Sequence, residues 1–114
     1  MSTVELPVKL RGQSGEYTYW VYPINTTFKD EPGNYIYAKR NSAGVWQAVY
    51  IGQSSSLSQR LASLDAEQAA LRFGATHILA HLNPDERARK NEEADLINTL
   101  VPRLVLSSKS AGRS

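Results

Sequence analysis

Apolar and β-forming residues recur with a period of two up to Gly52, and after it the apolar spacing becomes that of a helix. Such a switch demands a sheet built mainly from the first half of the chain, with helices packed against it. Val4, Leu6, Val8 and Leu10 alternate along a half-buried strand that Pro7 confines to a sheet edge. Tyr17–Ile24 is dense in β-formers and ends near Pro23. Asn34–Arg40 and Val45–Ile51 flank the turn Asn41-Ser42-Ala43-Gly44 and form a hairpin. A tight turn centred on Ser42 and Ala43 makes partner numbers sum to 85, which sets Tyr35 opposite Tyr50 on one face.

Beyond Gly52, the spacing of Leu57, Leu61 and Leu64 predicts a helix with caps among Ser54–Ser56. That helix N-terminus near the tyrosines is either simply capped or a place to receive phosphate. A second short helix is expected from Asp65 to about Phe73, stopped by Gly74, and a strand over Thr76–Leu82. Asn83-Pro84-Asp85-Glu86 reads as an Asn cap with Pro at the first helical position. The helix it starts runs to about Leu100, before Pro102, with Glu86 and Lys90 paired one turn apart. The expected fold is α/β (mixed α+β): a small mixed central sheet with a hairpin, flanked by about three helices. Residues 1–106 form one domain and the polar stretch 107–114 a disordered tail.

Composition narrows the chemistry. With no cysteine and two histidines, disulfide frameworks, cysteine-ligated metals, thiol catalysis and a three-histidine cage are excluded. His77 and His81, four apart on a strand, stand about 13 Å from each other, too far to share a metal. Gly12 and Gly15 bracket a turn without the pattern of a phosphate loop. No apolar run spans a membrane and no signal sequence opens the chain, so a soluble, cytoplasmic protein is expected. The net charge is +2, but residues 32–64 and 96–114 hold no acid, and Lys39, Arg40 and Arg60 lie in the first of these stretches. A polyanionic partner suits that asymmetry.

Four elements line up in order: Pro32-Gly33-Asn34-Tyr35, Tyr50-Ile51-Gly52, Arg60 ten residues beyond Tyr50, and Glu93 nine before Pro102. The stretch Pro32–Pro102 resembles the GIY-YIG nuclease family, with the second tripeptide intact and the first bearing Asn34 at its centre. The resemblance implies endonucleolytic hydrolysis of DNA phosphodiesters with a single Mg²⁺ (or Mn²⁺). It implies catalytic roles for Tyr35, Tyr50, Arg60 and Glu93: the tyrosines orient or deprotonate the attacking water, Arg60 holds the scissile phosphate, and Glu93 binds the metal. Lys39 and Arg40 would join Arg60 in binding DNA. A phosphoryl transition state gathers negative charge, which an arginine fork and a divalent ion are suited to meet. Tyrosine, with an ordinary pKa near 10, acts as a base only if the metal or Arg60 lowers it. Val105 stands where the family usually has asparagine, and Leu64 where some members have histidine. The Val105 difference keeps a second reading open, a catalytically impaired nucleic-acid-binding module on the same fold. A third is a protein-interaction domain using its tyrosine-rich hairpin, which exposure of Trp20 and Trp46 would favour. Read singly, Tyr35 and Tyr50 also suit a cross-strand aromatic pair, Arg60 a solvated helix position, and Glu93 one acid among several on a charged helix.

Overall fold

A computed structural model describes residues 7–61, 68 and 71–100 of the chain. Five strands are present: β1 (Val8–Arg11), β2 (Glu16–Pro23), β3 (Gly33–Arg40), β4 (Trp46–Ser54) and β5 (His77–Leu82). Among the described residues two helices are bounded, the short α1 (Leu57–Leu61) and the long α2 (Glu86–Leu100). The fold is α+β, a curled five-stranded sheet in the order β1-β2-β5-β3-β4. Every hydrogen-bonded strand pair is antiparallel, so the expected mixed sheet is corrected. The parallel relation does exist, between β4 and β5, but β3 lies between them. The helical crossover from β4 to β5 steps over one strand, an insertion that element order alone does not reveal.

The expected second helix falls mostly outside the described residues; Leu71 and Arg72 are helical, and Gly74, at φ 90°, closes the turn. Val105, Pro102 and the stretch 107–114 also lie outside them. Among the described residues, no helix is long and apolar enough to cross a membrane. Alternation along β1 is as the sequence predicts, with Val8 and Leu10 inward, and β1 lies at a sheet edge.

The hairpin register differs from expectation by two residues. Asn41 Oδ1 accepts hydrogen bonds from the backbone N–H groups of Ala43 (2.8 Å) and Val45 (3.0 Å), and Gly44 adopts φ 81°. That left-handed residue gives a three-residue loop, moving the partner sum to 86 at Arg40↔Trp46. A bulge between Tyr37 and Ala38, opposite the fully buried Val49, moves it again, so that Tyr37 faces Tyr50 and Tyr35 faces Gly52. One slip would have turned the tyrosines to opposite faces. Two slips keep Tyr35 and Tyr50 together, now diagonally related.

Each face of the sheet carries its own core. Tyr35, Tyr37, Val49, Tyr50, Ile78 and Ala80 pack under Leu57 and Leu61 of α1. On the opposite face, Tyr19, Ile36, Ile51 and Leu79 pack under Leu96 of α2. Ser56 caps α1, its Oγ accepting from the Gln59 N–H at 3.3 Å. The Leu57 and Ser58 amides are taken by the Glu31 and Lys29 carbonyls, so this helix start has no amides turned toward a phosphate. At α2 the cap is Asp85 rather than Asn83: Asp85 Oδ1 accepts from Arg87 N–H at 3.1 Å, and Glu86 opens the helix. Asn83 instead turns the chain ahead of it, accepting from Asp85 N–H. The Glu86–Lys90 pair forms at 3.0 Å.

Helix α2 is held down as much by polar contacts as by leucine. Arg89, Glu92, Glu93 and Asp95 are all buried. Asp95 reaches the Gly12–Gly15 turn, where its carboxylate accepts from the Gln13 and Ser14 amides (2.7 and 3.1 Å) and from the Tyr17 hydroxyl (2.7 Å). These bonds, that from Tyr17 foremost, hold the Asp95 carboxyl below the usual carboxylate range. A lowered folded pKa gives stability that is present above the unfolded value of about 3.9 and lost as pH falls through the folded value. Urea unfolding at neutral and acid pH should therefore find Asp95→Asn less stable than wild type at pH 7, with the gap closing below about pH 4. A gap that stays constant with pH would contradict this role.

Candidate active site

The β3–β4 hairpin supplies two tyrosines on the α1 face, α1 supplies an arginine, and α2 supplies a carboxylate. Arg60 donates through Nε to the Tyr35 hydroxyl at 2.8 Å and through Nη2 to the Tyr50 hydroxyl at 2.6 Å. One guanidinium fork thus spans both phenols, leaving its remaining N–H groups for another acceptor. The two rings lie 6.0 Å apart, tilted by 57°. Tyr35, Tyr50, Gly52, Gln53, Arg60 and Glu93 line one concave pocket of ≈ 220 Å³. The four residues singled out as catalytic from the sequence are brought together here.

Gly52 explains how the diagonal tyrosines meet one arginine. Tyr35 lies directly opposite it, and a Cβ at Gly52 would collide with the Tyr35 hydroxyl and Cζ. The missing side chain is the space in which the Tyr35 ring lies. Gly52→Ala should force that ring out of place and destabilise the fold by about 1–3 kcal/mol, read from urea midpoints. Wild-type stability in Gly52→Ala would refute the ring's dependence on that space.

Tyr35 is 1% exposed and Tyr50 3%, whereas Arg60 is half-buried. Burial raises the Tyr35 pKa above its ordinary value, with Tyr50 adding to the rise and the Arg60 contact opposing it. Tyr35 is accordingly a neutral phenol at physiological pH, able to position a water and unsuited to deprotonating one.

Three neighbouring acids on α2 separate cleanly. Glu92 accepts from the Tyr19 hydroxyl at 2.5 Å and meets His81 Nε2 at 2.7 Å on the far face of the sheet. Asp95 is committed to the Gly12–Tyr17 segment. Glu93 alone of the three lines the pocket. Glu93 is the one acid among the described residues that line the pocket, and among the described residues no group of three or more His, Cys, Asp or Glu gathers anywhere. Mg²⁺ is commonly held by one or two carboxylates, with waters and substrate phosphate completing its shell. The donor set therefore fits an ion bound jointly with a phosphate and does not form a closed protein cage.

Lys39 and Arg40 are not brought to the pocket. They sit toward the turn of the hairpin, four and five residues along β3 from Tyr35, roughly 13–17 Å away. Lys39 donates to the Phe73 carbonyl at 3.2 Å, and Arg40 lies 4.4 Å over the Trp46 ring. Sequence reasoning missed a second set. Arg89, one turn before Glu93 and 4% exposed, donates to Gln53 Oε1 (2.9 Å) and to the Asn83 carbonyl (3.0 Å). Its own carbonyl accepts from Asn34 Nδ2 at 3.0 Å. These contacts fasten α2 to β3 and β4 and so position Glu93. They give Asn34, the odd residue of the first tripeptide, a structural task. The only signal for them was adjacency to the motif residues, because a charged helix gives no sign of which arginine is buried. Comparison of the chain with models of known protein families, with curated proteins and with solved structures gave no match.

Proposed function

We propose that the protein is a metal-dependent endonuclease of the GIY-YIG type, hydrolysing DNA phosphodiester bonds. The observation that carries this reading is the convergence of Tyr35, Tyr50, Arg60 and Glu93 on one pocket, with Arg60 bonded to both hydroxyls. In this reading the remaining N–H groups of Arg60 bind a nonbridging oxygen of the scissile phosphate and offset charge as it accumulates. The hydroxyls, fixed by the same guanidinium, orient a water for in-line attack. A new P–O bond forms to the water oxygen as that water gives up a proton to solvent, the bond to the leaving sugar oxygen breaks, and that oxygen takes up a proton from solvent. Glu93 would hold Mg²⁺ or Mn²⁺, which supplies Lewis-acid charge when bound with the substrate. DNA binding through Arg60, with Lys39 and Arg40 as outlying phosphate contacts, should weaken with salt.

A second reading, a nucleic-acid-binding module without cleavage, draws on the near-complete burial and raised pKa of Tyr35, which make that phenol a poor general base. Supercoiled plasmid and a branched duplex incubated with Mg²⁺ or Mn²⁺ distinguish the two. Nicked circles or cleaved arms support the enzyme. Salt-sensitive binding with no cleavage, unrelieved in Val105→Asn, would overturn the enzyme in favour of the binding module.

A further inference from the structure

On the α1 face, α1 together with Tyr22 and Phe28 covers β3, β4 and the middle of β5, whereas Trp20 of β2 and Leu82 at the end of β5 stand exposed. Trp20 is 47% exposed there and Leu82 58%. A groove of ≈ 620 Å³ runs across this area, lined by Trp20, Tyr22, Phe28, Leu57, Ala80 and Leu82 among others. Tyr22 and Phe28 meet edge to face at 5.0 Å and fix its aromatic wall. The strand register ties the groove to the pocket. Tyr35 pairs with Ala80 and Ala80 with Trp20, so Trp20 lies in the same cross-strand row as Tyr35, two strands or about 10 Å away.

The rim is basic on the β1 side. Lys9 pairs with Thr18 and Arg11 with Glu16, which puts both cations on the same face as Trp20. Glu16 is the one acid among the lining residues, and Arg11 meets it at 3.8 Å. Exposed aromatic faces between backbone-binding cations are the pattern by which proteins take single-stranded nucleic acid, since every base has a face to stack.

We propose that this groove binds an unpaired base of a single-stranded segment beside the phosphodiester held at Arg60, with Trp20 as the stacking platform. The inference rests on the pocket's being the phosphodiester site. It makes the preferred substrate DNA with an unpaired stretch next to the cut, with Lys9 and Arg11 receiving the neighbouring phosphates.

The test is fluorescence anisotropy of a labelled short oligothymidylate and of a blunt duplex of equal length, without divalent metal so that no cleavage intervenes. Wild type should prefer the single strand. Trp20→Ala should weaken oligothymidylate binding by about five- to a hundred-fold and leave duplex binding within about twofold. Trp20→Phe, which keeps a stacking face, should retain most of the affinity. Both variants should melt with wild type, because the side chain is half exposed. Equal single-strand affinity in wild type and Trp20→Ala would overturn the proposal, as would Trp20→Phe binding as weakly as Trp20→Ala. Self-association lost in Trp20→Ala, without oligonucleotide binding, would also overturn it and make the groove a protein contact. Plasmid nicking that persists while Trp20→Ala binds single strands normally removes this subsite only. Trp20-dependent binding in a protein that never nicks removes the nuclease reading only.

Discussion

Arg60→Ala should lower nicking by about 10²–10³-fold, the usual cost of removing one preorganised group aimed at transition-state charge. It should also weaken DNA binding and lower stability. The guanidinium is the shared donor to Tyr35 and Tyr50, so its loss leaves two buried hydroxyls each short of a partner, a cost of about 1–3 kcal/mol. Arg60→Lys is the informative companion. A lysine restores the charge, yet a point charge on a flexible stem cannot span two phenols and a phosphate together. Arg60→Lys should therefore recover much of the DNA affinity and little of the rate. Anisotropy and nicking rates measured on the same preparation check this, and equal recovery of both would contradict it.

Adjacent residues on α2 should give opposite phenotypes. Glu92 is 3% exposed and holds the fully buried Tyr19 hydroxyl and His81 Nε2. Burial and this carboxylate push the Tyr19 pKa far above its ordinary value, so the phenol stays protonated and donating. Glu92→Ala leaves both partners without an acceptor and should cost about 2–4 kcal/mol of stability. The nicking rate per folded molecule should stay near wild type. Glu93→Ala should stay folded and lose metal-dependent cleavage. Urea midpoints and single-turnover nicking distinguish the two. A Glu92→Ala protein that is stable and inactive would reverse the assignment.

The strands, the hairpin and the long helix were legible because their periodicities are strong and local. The hairpin register was not: it depends on the left-handed Gly44 and on the Val49 bulge, and each shifts the pairing by one residue. Two shifts restore parity, so Tyr35 and Tyr50 share a face for a reason different from the expected one. The direction of the sheet was hidden because β3 inserts between β4 and β5, a choice made by long-range packing. The α2 cap moved from Asn83 to Asp85 because two cap-formers on either side of Pro84 compete and only one can stand a turn ahead of Arg89. On α2, composition could not distinguish Glu92, Glu93 and Asp95. Their different faces, toward Tyr19, the pocket and the Gly12 turn, appear only once the helix is seated. Arg89, Gln53 and Asn34 stayed invisible for the same reason, since buried polar positioning is made by tertiary contact.

The central claim is that Glu93 serves chemistry and not merely the fold or the binding of DNA. It is tested most directly by measuring plasmid nicking in Mg²⁺ and DNA affinity side by side for wild type and Glu93→Ala. Wild type should nick, the variant should lose about 10²–10³-fold or more in rate, and its DNA affinity should stay within several-fold of wild type or improve by removal of a negative charge. Equal nicking by the two proteins, or a loss of affinity that matches the loss of rate, would contradict it.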